Sequence, residues 1–126
     1  MRYLLDTTLI ADHANGYRPA VELLDRLFQE GAELFTCDVV VCEARSGGTR
    51  EHQEAVARLL EPLEYVATSP QAAARAGASR LRRHRSGGKL GLGDALIAGV
   101  ATELGATVVT RNRPDVQRQR IPVLTY

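Results

Sequence analysis

The sequence predicts an α/β fold, with a mainly parallel central sheet of four to five short strands flanked by helices. Short apolar and β-branched segments alternate with longer segments whose apolar residues recur every three or four positions. No repeat, low-complexity tract or linker interrupts this alternation, which is typical of a parallel sheet between helical layers. A chain of 126 residues that is 44% hydrophobic can bury one core, so a single domain over residues 1–126 is expected.

Five short segments are predicted to be strands because they are apolar or β-branched and lie between turn-forming residues. The first, Tyr3-Leu4-Leu5, is apolar throughout and is expected to be buried on both faces of the sheet. In chain order, the predicted strands are residues 3–5, 33–36, 64–67, 107–110 and 121–124.

Capping and helix-breaking residues delimit the helices between these strands. Thr7 or Thr8 is expected to cap the first helix, and Ser69 is expected to cap the fifth, with Pro70 at its first position. Gly105 stands where a left-handed C-terminal cap would end the last helix. The predicted helices are residues 8–14, 19–30 (starting at Pro19), 38–44 (capped by Asp38), 49–61, 70–85 and 94–104 (opened by Asp94).

Four carboxylates are predicted to meet at the carboxyl end of the sheet. Asp6 follows the first strand, Glu43 lies in the helix after the second, Asp94 opens the last helix, and Asp115 follows the fourth strand. In right-handed crossovers each helix starts at the edge where the strands end, and open α/β sheets keep their sites at that edge. Two of these residues have simpler interpretations, because Asp6 could serve only as an N-cap and Glu43 only as a solvated helix residue.

Carboxylates in such close proximity cannot all be ionised without help, and a divalent cation removes the conflict. Oxygen ligands without cysteine or histidine favour Mg²⁺ or Mn²⁺. Thr8, Thr110 and Asn112 lie at the same strand ends, where they are expected to orient a water molecule or a carboxylate. The arrangement is suited to metal-assisted attack of water on a phosphodiester.

Charge is distributed unevenly along the chain. Residues 1–64 hold 12 acidic and 6 basic side chains, whereas residues 65–126 hold 3 acidic and 10 basic ones. This polarity favours a polyanionic partner, and basic residues around an acidic centre are expected to hold a phosphate backbone. A solvated helix end is the alternative for the arginine run. The predicted RNA-binding residues are Arg80, Arg82, Arg83, Arg85, Lys89, Arg111 and Arg113.

Several other function classes find no support in the sequence. Cys37 and Cys42 form neither a CxxC pair nor a disulfide framework, and the three histidines share no ligand spacing. No apolar run approaches the ~20 residues that span a bilayer, and residues 1–10 lack the features of a signal peptide. A cytoplasmic protein without membrane contact is expected.

Three segments together resemble the PIN-domain ribonucleases, and most closely the toxin component of VapBC-type toxin–antitoxin pairs. The segments are LLDTTLI, VVVCEA with Glu43, and LGLGDALIAGVATELGATVVTRNRPD, in family order and at family spacing over essentially the whole chain. DALIAGVA followed by TRN is the most specific part. The resemblance implies a PIN-like three-layer fold.

The resemblance also implies a site and partners. Asp6, Glu43, Asp94 and Asp115 match the family's acidic residues, which hold Mg²⁺ or Mn²⁺ in endoribonucleases that cut single-stranded or structured RNA. Pro114 and the residue after Asp115 depart from the family pattern, and Asn112 could do part of the work of the fourth acid. A small antitoxin is expected to neutralise the enzyme, which is expected to form a homodimer and a larger toxin–antitoxin complex.

Two helices carry more apolar residues than a thin sheet layer is expected to need, and a groove between them is predicted to receive an antitoxin helix. These helices are residues 19–30 and 39–44, and their apolar residues are Leu23, Leu24, Leu27, Phe28, Val40 and Val41.

Two rival functions remain open. One is a catalytically inactive PIN-like module that binds RNA or titrates an antitoxin, although four intact acids argue against it. The other is a phosphotransfer domain with Asp6 as phosphoacceptor. The haloacid dehalogenase type requires an aspartate where Thr8 stands, and the receiver type requires an acidic pair where Thr7 follows Asp6.

Overall fold

The computed structural model describes residues 1–111 and 119–126 of the chain. The predicted Asp115, Asn112 and Arg113 lie outside the described residues. The strands are β1 (Arg2–Leu5), β2 (Glu33–Cys37), β3 (Glu64–Val66), β4 (Thr107–Val109) and β5 (Val123–Leu124). The helices are α1 (Thr7–Ala14), α2 (Arg18–Gln29), α3 (Asp38–Ala44), α4 (Arg50–Leu60), α5 (Pro70–Arg85) and α6 (Leu92–Leu104).

The five strands form one parallel sheet in the order β3-β2-β1-β4-β5, which confirms the predicted α/β fold. Leu4 pairs with Phe35 of β2, and Leu5 pairs with Val109 of β4. The chain moves outward from β1 to β3 and then returns to the other side of β1, so the strand order changes direction next to β1. Right-handed crossovers therefore place α1 to α4 on one face of the sheet and α5 and α6 on the other.

The central strands are buried on both faces, as the apolar Tyr3-Leu4-Leu5 segment predicts. Leu4, Leu5, Val108 and Val109 have no exposed surface. Part of the apolar surface of α2 and α3 is predicted to meet a partner, but most of these residues belong to the same core, which leaves mainly Phe28 for that role. Leu23, Leu24, Leu27 and Val40 are buried within the chain, Val41 is half-buried, and Phe28 is exposed. Strands of two to five residues cover little area, and the helices fill the rest of the core with these side chains.

Helix starts differ from the prediction by one or two residues. Asp6, rather than Thr7 or Thr8, caps α1, because its short carboxylate reaches the Thr7 amide directly at 2.7 Å. Cys37 occupies the N-cap position of α3 without a side-chain hydrogen bond, while the carboxylate of Asp38 accepts hydrogen bonds from the Val39 amide and from Thr68 in the loop after β3.

Two further helices start earlier than predicted. Arg18 begins α2, one residue before Pro19. Leu92 begins α6, which puts Asp94 in the first turn of that helix rather than at its opening. The predicted caps Ser69 and Gly105 are confirmed: Ser69 accepts from the Ala72 amide at 3.0 Å, and Gly105 has the left-handed φ of 64°. None of the described helices combines the length and apolar character needed to cross a membrane.

Helices α5 and α6 pack closely because one glycine leaves room for a backbone carbonyl. A Cβ atom at Gly99 of α6 would lie 2.5 Å from the Ala72 carbonyl oxygen of α5. Any larger residue at this position must therefore push the two helices apart.

We expect Gly99→Ala to lower the free energy of unfolding by about 1–3 kcal/mol, the usual range for overpacking. The matched control is Gly77→Ala on the exposed face of α5, where a Cβ meets nothing within 4 Å. This control is expected to gain about 0.5–1 kcal/mol from helix propensity. Urea denaturation of both variants measures the difference, and equal stability of the two would contradict the packing argument.

Candidate functional site

The site lies where the strand order changes direction, between the carboxyl ends of β1 and β4. Open α/β sheets bind their ligands at such a point. Asp6 follows β1 and Thr110 follows β4, and the Asp6 amide donates to the Val109 carbonyl at 3.0 Å. The two strand ends are therefore held side by side.

The carboxylate of Asp6 is 1% exposed and accepts several hydrogen bonds. One oxygen accepts from the Thr7 amide at 2.7 Å, and the other accepts from the Thr110 hydroxyl at 2.7 Å and from the Thr8 hydroxyl at 3.4 Å. Burying a charge is costly unless donors offset it, and these donors do so. The helix-capping role and a role in a site are therefore compatible in this residue.

Glu43 lies on α3 and is linked to Asp6 through Thr7, while Asp94 lies in the first turn of α6, a helix that packs against α3. The Thr7 hydroxyl donates to the Glu43 carboxylate at 2.7 Å. Thr7 therefore contacts two carboxylates, Asp6 through its amide and Glu43 through its hydroxyl. A Cβ at Gly93 would lie 2.6 Å from the same carboxylate, which places Glu43 against the first turn of α6. Asp94, half-buried, follows Gly93 in that turn, where the helix dipole favours its charged form.

The donor set of this edge consists of oxygen atoms. Among residues 1–111 and 119–126, no three His, Cys, Asp or Glu side chains lie together closely enough to hold a metal ion. The edge offers the carboxylates of Asp6, Glu43 and Asp94 together with threonine hydroxyls. Such donors suit Mg²⁺ or Mn²⁺, and Mg²⁺ commonly takes one or two protein carboxylates and keeps several waters. The chemistry of the residues thus fits such an ion.

A cluster that the sequence analysis missed anchors the segment after β4. The Arg111 guanidinium donates to the Asp12 carboxylate, at 3.0 Å from its Nε, and lies 5.0 Å from the centre of the Tyr17 ring. The Tyr126 hydroxyl donates to the same carboxylate at 2.7 Å. No local pattern marks Asp12, because its partners lie about 100 residues away in the chain.

Both partners of Asp12 hold their protons firmly. The hydrogen bond to Asp12 raises the pKa of Arg111 further above its usual range. Burial, and then the hydrogen bond to Asp12, raise the pKa of the Tyr126 phenol. The Arg111 amide also lies 3.3 Å from the Thr8 hydroxyl, so the cluster positions the strand end beside Asp6. Arg111 therefore holds the chain in place, and its guanidinium is already engaged.

The basic residues between Arg80 and Lys89, which the sequence predicts to bind RNA, have different environments. Arg80 donates to the Leu90 carbonyl at 3.1 Å and closes the loop between α5 and α6. Arg82, Arg85 and Lys89 are exposed, and Arg83 is half-buried. The exposed members are available to a polyanion, whereas Arg80 has a structural partner.

An apolar groove lies beside α2, but not where it was predicted. The cavity of about 410 Å³ is formed with α1 and α4 instead of α3, and it is lined by the exposed Phe28 and the buried Leu24. His13 and Asp25 also lie at this groove, where burial lowers the pKa of His13 and Asp25 opposes the change.

The chain matches the PIN domain family over residues 3–117. No curated protein gave a match. Among solved structures, VapBC2 from Rickettsia felis bound to a promoter DNA fragment has a TM-score of 0.84 at 22% identity, covering 100% of this chain and 99% of that chain. DNA-bound VapBC from Salmonella typhimurium has a TM-score of 0.79 at 25% identity, covering 99% and 98%. A toxin–antitoxin complex from Klebsiella pneumoniae has a TM-score of 0.75 at 28% identity, covering 98% and 96%.

The buried bond from Thr110 to Asp6 can be tested by a substitution that keeps the shape of the side chain. We expect Thr110→Val to lower the free energy of unfolding by about 1–3 kcal/mol, because a buried carboxylate loses a donor. The control Thr125→Val, at an exposed position after β5, should change it by less than about 0.5 kcal/mol. Chemical denaturation compares them, and equal effects would show that the bond contributes nothing.

Proposed function

Because the chain belongs to the PIN domain family, we propose that it is a metal-dependent endoribonuclease that acts as the toxin of a toxin–antitoxin pair. The observation that carries the proposal is the buried Asp6 at the switch point of the sheet, linked through Thr7 to Glu43, which lies against the turn of α6 that carries Asp94. Oxygen donors assembled at this edge are suited to an ion that binds phosphate.

The same geometry disfavours phosphotransfer. A phosphoacceptor needs a carboxylate oxygen that a phosphoryl group can approach in line. The Asp6 carboxylate is buried, and each of its oxygens already accepts a hydrogen bond from a neighbouring threonine. A carboxylate in this position is poorly placed to attack phosphorus.

In the proposed reaction, Asp6 and Asp94 hold Mg²⁺ or Mn²⁺, with Glu43 and Asp115 completing the acidic set. When bound, such an ion lowers the pKa of water and stabilises the charge on a phosphodiester. Thr110 and Thr7 fix the two oxygens of Asp6, and Thr7 also fixes Glu43. The amino end of α6 adds a partial positive charge that favours a phosphate beside Asp94.

The comparisons support an antitoxin partner, since the similar solved structures are toxin–antitoxin complexes. We propose that an apolar antitoxin helix occupies the groove at Phe28, and that a following arginine reaches Asp6 or Asp94 and displaces the cation. The acidic residues 1–64 would attract this inhibitor. Homodimer formation and action on cytoplasmic RNA are part of the same proposal.

Catalysis depends on Asp94 in this proposal. Asp94→Asn is expected to reduce RNA cleavage in Mg²⁺ or Mn²⁺ by more than about 100-fold, beyond the loss typical of a residue outside the ligand shell. The circular dichroism spectrum should stay unchanged, because the amide keeps the shape of the side chain. Asp25→Asn, on the exposed face of α2, is the control and should cleave at the parental rate.

Two results would contradict the catalytic proposal. One is an Asp94→Asn protein that degrades RNA as fast as its parent. The other is full cleavage by the parent in excess chelator, since Mg²⁺ or Mn²⁺ should restore activity and Ca²⁺, with its looser geometry, should not.

The partner proposal predicts a role for Phe28, whose ring is 46% exposed. With the antitoxin from the adjacent small reading frame, Phe28→Gln is expected to weaken the complex by about tenfold or more, as for an interface anchor. Leu81→Gln, at a similarly exposed apolar position on α5, is the control. Isothermal titration measures both, and equal affinities, or a complex that keeps full nuclease activity, would overturn the arrangement.

A further inference from the structure

A cationic groove runs along α5. It lies outside the acidic residues Asp6, Glu43 and Asp94, which we call the acidic cluster. Arg75, Ser79 and Arg82 recur at spacings of four and three residues and so share one face of the helix. Two cavities of about 400 and 300 Å³ adjoin along this face, and both are lined by Ser79, Arg82 and Arg120. Because the cavities share these residues, they are neighbours on one surface. We define the α5 groove by Arg75, Ser79, Arg82 and Arg120.

Within the described part of the chain, no acidic side chain balances the positive charge of the α5 groove. No acidic side chain of the described residues lines either cavity. Arg75 and Arg120 form no ion pair in residues 1–111 and 119–126, and the guanidinium of Arg82 donates to the Ser79 hydroxyl at 3.2 Å. Glu103 on α6 is hydrogen-bonded to Ser69 instead. A concave surface with guanidinium groups and hydroxyls of this kind is suited to an anion.

The backbone at Arg120 is strained in the conformation that lines the groove. Arg120 has a φ of 59° and is the only described residue other than glycine with a positive φ. Such a conformation is uncommon for a long side chain, and strain of this type concentrates at ligand-binding sites. Arg120 lines both cavities. A residue in a costly backbone conformation thus contributes its positive charge where the two cavities adjoin.

The α5 groove starts near the first turn of α6, which carries Asp94, and runs along that helix. At one end, the Gln119 side-chain amide lies 3.5 Å from the Asp94 carbonyl. At the other end, Thr102 lines the groove, eight residues along α6 and about 12 Å from Asp94 at the helical rise. A nucleic-acid strand carries several phosphates over that distance.

We propose that the α5 groove binds the backbone phosphates of the RNA strand on one side of the bond that is cut, an assignment that rests on the proposed nuclease function. It changes the set of residues that hold RNA. Arg75 and Arg120 are added to the RNA-binding set, although neither belongs to the arginine run from 80 to 85. Arg80 and Arg111 are removed from that set because their guanidinium groups have other partners. The groove extends the substrate along α6 and so sets where a bound strand meets the acidic cluster.

Binding without cleavage tests the groove directly. The probe is a fluorescein-labelled single-stranded RNA of about 12 nucleotides, and its anisotropy is followed in EDTA over a series of salt concentrations. Arg75→Gln and Arg120→Asn should each weaken binding and reduce the slope of log K against log salt by about 1, with the double variant losing about 2. Glutamine keeps the helix, and asparagine tolerates a positive φ. The control Arg58→Gln removes one exposed charge on α4 and should leave the slope unchanged.

A second measurement separates the groove from the catalytic edge. In Mg²⁺ or Mn²⁺, the groove variants should raise KM for the same RNA and keep kcat/KM for bis(p-nitrophenyl) phosphate, which is too small to reach Arg75. If the parent cleaves neither substrate but the groove variants still lose salt dependence, the nuclease proposal fails and the groove is supported. Salt slopes equal to that of the parent in both variants would overturn the groove and point to an acidic protein partner at this surface.

Discussion

Burying the carboxylate of Asp6 between β1 and β4 is the constraint on which the rest of the site depends. A charge with 1% exposure requires donors, and the chain supplies them from the Thr7 amide and the Thr110 hydroxyl. Meeting that requirement joins the two strand ends, fixes where α1 begins, and turns Thr7 so that its hydroxyl holds Glu43. The Arg111–Asp12–Tyr126 cluster supports the same arrangement from outside, because it ties the end of β4 to α1. Asp6 and Glu43 thus belong to one hydrogen-bonded unit and do not act as independent residues.

The reversal of strand order next to β1 also separates the charges of the chain in space. Residues 1–64, with 12 of the 15 acids, form β1, β2 and the helices between and after them. Five arginines of residues 65–126 lie on α5, across the sheet. Strands β1 and β4, one from each half of the chain, pair side by side, and the candidate site lies at their carboxyl ends. An uneven sequence therefore becomes an acidic surface and a basic surface with the candidate site at their boundary, which fits a protein that must attract both a polyanion and its inhibitor.

Much of this architecture can be predicted from local patterns and topology rules, and the exceptions have physical causes. Periodicity and capping residues identify all the described strands and helices. These signals are local: caps such as Ser69 and Gly105 act only on the residues next to them in the chain. The shared edge of Asp6, Glu43 and Asp94 follows from crossover handedness. Apolar residues of α2 such as Leu24 belong to the core and not to an interface. The composition of the chain does not show how little of the core very short strands cover, and so how much the helices must fill. Arg111 was predicted to bind phosphate, and its engagement with Asp12 depends on a contact between distant residues that no spacing reveals. The placement of Asp115 and Asn112 stays a prediction.

Helix α6 connects the two surfaces that the proposals assign to the substrate. Its first turn carries Asp94, and the absence of a side chain at Gly93 lets the Glu43 carboxylate lie against that turn. Six residues later, Gly99 lets the α5 backbone approach, which brings the groove arginines over the same helix. A single rigid element thus sets the separation between the acidic edge and the α5 groove. If the groove binds RNA, the position of cleavage along a bound strand follows from the rise of this helix, and not from loops that could adjust to each substrate.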